Sequence, residues 1–188
     1  MMKTQSLDSS PTGMFSLNSK HRMLLNGLMF QALWFVCIFT SVEITLFATA
    51  AYLVLHYLLV ERSSLQWAML LLIALLGYAA DSILTSFAII GFKQSIHIGP
   101  VSLAPLWLAC LWLGFSSCVK HAFGFLHNKR LLTILLCFTV IPFNYFVGAN
   151  IREAVIATPQ LFSFLLIALY WAFLLPFALK LTKGRVLA

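Results

Sequence analysis

Residues 75–85 read LLGYAADSILT and place one acidic residue, Asp81, inside an apolar run that covers residues 67–90. A membrane-spanning helix needs about 20 residues, so this run is long enough to cross a bilayer. A carboxylate at the centre of a bilayer costs about 3 kcal/mol on insertion scales. Asp81 must therefore either have hydrogen-bond partners elsewhere in the chain or carry a proton that neutralises it.

The composition places the whole chain in a membrane. Of its 188 residues, 62% are hydrophobic and 9% are charged, whereas soluble domains contain about 25% charged residues. Six apolar runs cover residues 23–41, 43–60, 67–90, 103–119, 131–149 and 161–181. Because they lack the alternation of a membrane β-barrel, we predict an all-α polytopic bundle of six transmembrane helices over residues 23–181. A disordered tail (1–22) would precede it and a short basic tail (182–188) would follow.

The basic residues predict the orientation of the bundle. If both termini are cytoplasmic, ten Lys and Arg residues fall on the inner side, and only Lys93 and Arg152 fall on the outer side. Such a bias is typical of inner-membrane proteins, in which cytoplasmic segments are rich in Lys and Arg. The net charge of +7 therefore reflects membrane orientation and does not indicate a nucleic-acid partner.

The depth of each polar residue follows from the helical rise of 1.5 Å per residue. Asp81 lies ~4 Å and Asn144 ~6 Å to the outer side of the middle of their spans, and Gln31 lies ~3 Å to the inner side. Arg152 lies ~18 Å outward, too far for a direct ion pair with Asp81. We therefore predict a polar layer of Asp81, Asn144 and Gln31. Structural hydrogen bonding between helices is the alternative role for each of the three.

Helical spacing puts small residues on the same face as the acid. Gly77 and Thr85 lie four residues before and after Asp81, and the fifth span repeats this spacing through Asn144 and Gly148. Small residues on one face let membrane helices approach closely. We expect these two faces to oppose each other.

A pair of tryptophans marks the fourth run. Trp107 and Trp112 follow Pro105 near the outer end of the predicted helix. Aromatic residues at this level either anchor a helix at the membrane surface or form the wall of a cavity. We expect them to wall a cavity beside Asp81, with interfacial anchoring as the alternative.

Catalytic and metal-binding motifs are absent from the sequence. It contains no HExxH, GxSxG, Walker loop or dinucleotide fingerprint, and its histidines lack ligand spacing. All the cysteines lie inside apolar runs without a CxxC pair, which disfavours a zinc site or a disulfide framework; they are Cys37, Cys110, Cys118 and Cys137. We therefore expect no cofactor and no metal, and the sequence leans against an enzyme without excluding one.

Four motifs together point to a known family. They are Asn26-x4-Gln31-x2-Trp34-Phe35, Gly77-x3-Asp81, Pro105-Leu-Trp-Leu-x2-Leu-Trp112-x2-Phe115 and Pro142-x2-Tyr145-x2-Gly148-Ala149. Over about residues 24–180 the chain resembles a proteobacterial family of small inner-membrane proteins catalogued as domain of unknown function 2878. The resemblance implies the bacterial inner membrane and the span count, but no established activity. The association of such proteins with fatty-acid-modifying enzymes implies lipids as a ligand class.

The leading hypothesis is a membrane protein that binds or moves a lipid or small molecule through an outward-facing cavity centred on Asp81. The residues expected to contact the ligand are Asp81, Asn144, Gln31, Trp107, Trp112, Thr85 and Arg152. Asp81 would be the polar anchor or proton acceptor, and the tryptophans would be apolar walls. The alternatives are an integral-membrane enzyme acting on lipids and a non-catalytic partner of another membrane protein. Beyond the bilayer and such a ligand, the sequence names no partner and no oligomeric state.

Overall fold

The computed structural model describes residues 18–152 and 154–183 as a bundle of helices with two small two-stranded sheets. The elements in chain order are α1 (Ser19–Phe39), α2 (Val42–Leu59), α3 (Ser64–Ser86), β1 (Ile90–Gly91), β2 (Ile96–Ile98), β3 (Val101–Leu103), α4 (Leu106–Cys118), α5 (Arg130–Phe138), α6 (Val140–Ile151), β4 (Val155–Ile156) and α7 (Gln160–Thr182). The predicted tails lie outside the described residues over 1–17 and 184–188. The basic cluster at residues 20–22 belongs to the first turn of α1.

Five stretches of the described chain are long and apolar enough to cross a membrane, which supports the prediction of an all-α membrane bundle. They are α1, α2, α3, the α5–α6 stretch Arg130–Ile151, and α7. Their outward faces carry large exposed side chains such as Leu28, Phe47 and Phe173. In water such a surface would be strongly unfavourable, whereas lipid solvates it without cost.

The fourth predicted run forms a helix of only 13 residues, α4. At 1.5 Å per residue it is about 20 Å long, against a hydrocarbon core of about 30 Å. The first residues of the run are extended instead, because Val101–Leu103 pairs antiparallel with Ile96–Ile98 in a hairpin. The helix packs against α1, α2 and α3, and eight of its residues are buried. It is therefore shielded from lipid by the longer helices.

The fifth predicted run is divided into α5 and α6 at Thr139, which has φ −121° and ψ −70°. Pro142 lies three residues later and carries no N–H, so the carbonyl of Phe138 loses its helical partner. The Thr139 N–H and hydroxyl both donate to the Leu135 carbonyl, at 3.0 and 2.7 Å, and so close the last turn of α5. A break near Pro142 agrees with the sequence, although the stretch as a whole retains spanning length.

Contacts between loops define the two ends of the bundle. At one end, Glu61 in the α2–α3 turn pairs with Lys120 after α4, and Lys183 after α7 donates a hydrogen bond to Asn128 before α5 at 2.8 Å. At the other end, the β2–β3 hairpin follows α3, and β1 pairs antiparallel with β4 after α6. The two ends of the described chain therefore lie at the same end of the bundle as the α2–α3 turn.

Candidate functional site

A cavity of about 470 Å³ lies inside the bundle between α1, α4, α6 and α7. Most of its wall is aromatic or aliphatic; the lining side chains include Phe30, Trp34, Trp107, Leu108, Trp112, Phe115, Phe123, Ile141 and Trp171. The polar residues of the wall are Gln31, Asp81, Asn144 and Tyr145, together with the indole N–H groups. An apolar pocket with a few converging polar groups is the usual form of a small-molecule site.

Asp81 is held by hydrogen bonds from three other helices. The Trp112 indole N–H of α4 donates to Oδ2 at 2.7 Å. The hydroxyls of Tyr145 on α6 and Tyr170 on α7 form hydrogen bonds with Oδ1 at 2.7 and 2.9 Å. These bonds offset the cost of placing the carboxyl group at membrane depth, since an unpaired buried polar group costs about 1–3 kcal/mol.

The tyrosine hydroxyls also contact each other, at 2.5 Å, and the Trp171 indole N–H donates to the Tyr145 hydroxyl at 3.3 Å. The rings of Trp112 and Trp171 stack with centroids 4.9 Å apart and an interplanar angle of 18°. The cluster Asp81–Trp112–Tyr145–Tyr170–Trp171, here named the Asp81 cluster, thus joins α3, α4, α6 and α7 in one layer.

Gly77 is required by the position of the Trp112 ring. A Cβ on Gly77 would overlap ring carbons of Trp112, because the indole lies directly across the backbone of α3. With no side chain at this position, the ring reaches Oδ2 of Asp81, one turn further along α3. Gly77 therefore leaves space for an aromatic ring of α4. Its spacing had suggested a close approach of α6 instead.

The carboxyl group of Asp81 borders the cavity but presents no exposed surface to it. The residue is 0% exposed, and its two oxygens are already occupied by the indole of Trp112 and by the two tyrosine hydroxyls. A molecule in the cavity would touch Trp112, Tyr145 and Trp171, which line it. Asp81 thus holds Trp112 and Tyr145 at the cavity wall through hydrogen bonds, and its role as an anchor or proton acceptor for a ligand stays a prediction.

Gln31 and Asn144 line the cavity but form no hydrogen bond with Asp81 in the described chain. The Asn144 amide donates to the Val140 carbonyl of its own helix at 3.0 Å, which leaves its oxygen facing outward. Both residues are exposed, so their amides are accessible from the cavity or from lipid. Thr85 lies on the buried face of α3, where its hydroxyl donates a hydrogen bond to the backbone carbonyl of Asp81 at 2.8 Å.

Arg152 lies away from Asp81 and fastens α6 to the end of α1. Its guanidinium donates to the carbonyls of Cys37 and Thr40, the latter at 2.7 Å, and lies 5.0 Å from the ring centroid of Trp107. Gly148, on the same face of α6, is directed toward Ile38 of α1. The predicted opposition of this face to the Asp81 face of α3 is therefore wrong, because the line through Gly148 and Arg152 packs against α1.

The sequence did not identify Tyr145 and Tyr170 as partners of Asp81. Both tyrosines do lie near the predicted depth of Asp81, since Tyr145 follows Asn144 directly and Tyr170 lies within one residue of the middle of the run 161–181. Tyrosine hydroxyls at the depth of a buried acid are suitable hydrogen-bond donors. Trp107 and Trp112 both border this cavity, and their role as walls for a ligand stays a prediction.

A second polar cluster lies at the bundle end that carries the α2–α3 turn. The Lys120 ammonium contacts Glu61 at 2.5 Å, and His121 Nε2 lies 3.4 Å from the same carboxylate oxygen. Burial raises the pKa of Glu61, but hydrogen bonds from Lys120 and the Ser63 N–H outweigh it, so the net pKa is lowered from 4.5. Burial, with the neighbouring Lys120 charge, lowers the pKa of His121 from 6.5. Near neutral pH the cluster is therefore a Lys–Glu ion pair beside a neutral histidine.

Among residues 18–152 and 154–183, no group of three or more His, Cys, Asp or Glu side chains is placed to hold a metal ion. The cysteines Cys37, Cys110, Cys118 and Cys137 are all buried with free thiols.

The comparisons with known proteins agree with the resemblance of the sequence motifs. No curated protein and no solved structure matches the chain. One family model, described as a protein of unknown function (DUF2878), matches residues 23–177, which include every membrane-length stretch of the described chain in whole or in large part. The chain therefore belongs to the DUF2878 family of proteins of unknown function.

Proposed function

We propose that this protein binds a lipid or small apolar molecule in the cavity beside the Asp81 cluster, as a six-pass protein of the bacterial inner membrane with both termini cytoplasmic. The orientation is supported by the distribution of Lys and Arg, ten against two between the two sides. The sixth pass would be α4, which begins beside the hairpin after α3 and ends beside Glu61 in the α2–α3 turn.

The observation that carries the proposal is the cavity itself. Its volume of about 470 Å³ lies within the range of small-molecule sites, which is about 300–1,000 Å³. Tight side-chain packing normally leaves few voids larger than a water molecule in a protein interior. A cavity of this size with an aromatic wall therefore favours an apolar occupant over a purely structural bundle.

The wall suggests how a ligand would enter and lie. The cavity side of α1 and α6 carries exposed residues, including Gln31, Val140 and Asn144, and these two helices touch only sparsely. A lipid-soluble molecule would pass between them from the bilayer, place its apolar part against Trp107 and Trp112, and direct its polar group to the amides. Asp81 would keep Trp112 and Tyr145 in place.

The enzymatic alternative receives less support from the same geometry. Two tyrosine hydroxyls lie within hydrogen-bond reach of Asp81, which general acid–base catalysis requires. However, Asp81 borders the cavity without exposed surface, and its carboxyl oxygens are already occupied by Trp112, Tyr145 and Tyr170. Binding without chemistry is therefore the function that this geometry favours.

Filling the cavity tests the proposal. Ala149 is buried on the cavity wall, so Ala149→Phe would occupy part of the space, while Ala50→Phe places the same ring on the exposed face of α2. Protein purified in mild detergent would be examined by native mass spectrometry for co-purifying lipid. We expect wild type and Ala50→Phe to retain a bound molecule and Ala149→Phe to lose most of it at an unchanged melting temperature. Equal retention by all three proteins would refute the proposal.

A further inference from the structure

We infer that Asp81 carries a proton in the folded protein, so that the cavity wall is uncharged and the site selects a neutral ligand with a hydrogen-bonding group. The ligand class rests on the proposed function, whereas the proton on Asp81 does not. The inference comes from counting hydrogen-bond donors in the Asp81 cluster.

Three oxygen atoms of the cluster form a closed triangle. Asp81 Oδ1 lies 2.7 Å from the Tyr145 hydroxyl and 2.9 Å from the Tyr170 hydroxyl, and the two hydroxyls lie 2.5 Å apart. The distances of 2.7 and 2.9 Å are typical of O–H···O hydrogen bonds and the contact of 2.5 Å is shorter than usual, so each of the three sides requires one proton between its oxygens. A tyrosine supplies one proton and an ionised carboxylate supplies none.

An ionised Asp81 would leave one side of the triangle without a proton. If both hydroxyls donate to Oδ1, their oxygens face each other at 2.5 Å with no hydrogen between them. The Trp171 N–H cannot supply the missing proton, because it approaches the Tyr145 hydroxyl from outside the triangle as an additional donor. A protonated Oδ1 supplies the third proton, and each oxygen then donates once and accepts once within the ring.

The remaining contacts of Asp81 agree with a neutral acid. The Trp112 N–H donates to Oδ2, which is the carbonyl oxygen when the proton resides on Oδ1. The groups that face Asp81 from α4, α6 and α7 are Trp112, Tyr145 and Tyr170, all of them uncharged. Arg152, the nearest basic residue considered from the sequence, is bound to carbonyls of α1.

A neutral Asp81 determines which ligands the wall accepts. In the described chain it is the one acidic or basic residue among those that line the cavity, so its protonation leaves the lining without formal charge. Burying a charged group without a partner is strongly unfavourable. The amides of Gln31 and Asn144 can instead bond a hydroxyl, an ester or an amide group. The wall therefore suits an apolar molecule with a neutral polar end.

Infrared spectroscopy tests the proton directly. A protonated carboxyl group has a C=O stretch that is distinct from the carboxylate and amide bands and shifts in D₂O. The chain contains five acidic residues, so the band can be assigned by substitution. In detergent-solubilised protein near neutral pH, we expect this band in wild type and in the control variants Glu43→Gln and Glu61→Gln, and its loss in Asp81→Asn. A wild-type spectrum without the band, or a band that persists in a folded Asp81→Asn variant, would overturn the inference.

Matched probes test the ligand class. A brominated fatty alcohol, fatty-acid anion and alkylammonium of equal chain length would be titrated against the protein in lipid nanodiscs, with bromine quenching of the cavity tryptophans as the signal. We expect the alcohol to quench at a concentration about ten-fold lower than either ion, which corresponds to about 1.4 kcal/mol, and to do so less strongly with Ala149→Phe. Equal or tighter binding of a charged probe would overturn the ligand class and leave the proposed function intact. If no probe distinguishes wild type from Ala149→Phe, both fail.

Discussion

Replacing Gly77 with Ala tests whether the Asp81 cluster stabilises the fold. The added Cβ overlaps the Trp112 ring, so the indole must move away from α3 and lose its hydrogen bond to Asp81 Oδ2. Overpacking costs about 1–3 kcal/mol, and an unsatisfied buried polar group costs about 1–3 kcal/mol more. The higher helix propensity of alanine returns about 1 kcal/mol. The expected net loss is therefore about 1–5 kcal/mol.

The assay is thermal unfolding of the purified protein in detergent, followed by loss of the monodisperse peak in size-exclusion chromatography. For a chain of this size, such a loss corresponds to a fall in melting temperature on the order of 10 °C. The matched control is Gly27→Ala in α1, where the nearest atom to a new Cβ is Cβ of Ala122 at 3.7 Å, an ordinary contact. We expect this control to be neutral or stabilising by up to about 1 kcal/mol.

A double variant separates the two contributions. In Gly77→Ala/Trp112→Leu the ring that the new Cβ would strike is absent, so the glycine substitution should cost little beyond Trp112→Leu alone. Strictly additive losses would show that Gly77 acts through something other than Trp112. A Gly77→Ala variant that melts like Gly27→Ala would refute the placement of the indole across α3.

Three further predictions concern sites outside the cavity. Arg152→Gln removes charge-assisted hydrogen bonds to the end of α1 and should cost about 2 kcal/mol; a melting temperature equal to that of wild type would contradict this. Ala88 lies two residues after the end of α3 with φ 55°, a left-handed conformation that favours glycine, so Ala88→Gly should raise the melting temperature by an amount equivalent to about 1 kcal/mol. The lowered pKa of Glu61 gives stability that is present above pH 4.5 and lost as the pH falls through the folded-state value. The free energy of unfolding of Glu61→Gln should therefore be about 1 kcal/mol lower than that of wild type at neutral pH, and its melting temperature should vary less with pH in acid. Equal melting temperatures at neutral pH would show that the pair with Lys120 does not stabilise the fold.

The apolar runs predicted the helices well because lipid solvation depends on composition, which a sequence displays directly. The exceptions have local causes. The run 103–119 begins at Leu103, the last residue of a strand that is paired in a hairpin, so its helix starts only at Leu106. Hydropathy does not distinguish an apolar strand from an apolar helix over so few residues.

The partners of Asp81 were harder to predict, because depth along a helix is readable while rotation about its axis is not. Asn144 and Tyr145 share nearly the same depth but differ by about 100° in direction. In a soluble protein the apolar stripe reveals which face is buried. Here every face of α6 is apolar, so nothing in the sequence indicated that Tyr145 points toward Asp81 while Asn144 bonds its own helix.

The shortness of α4 bears on how this protein is assembled. A segment of about 20 Å cannot shield both of its polar ends from hydrocarbon by itself. Its extended approach through Val101–Leu103 also needs a neighbouring chain segment to satisfy the backbone, which the Ile96–Ile98 strand provides. The long helices can enter the bilayer one after another as independent units. We expect α4 to become stable there only after α1, α2 and α3 provide the surface against which it packs. We therefore expect biogenesis of the bundle to be partly sequential, with α4 and its tryptophans taking their places after α1, α2 and α3.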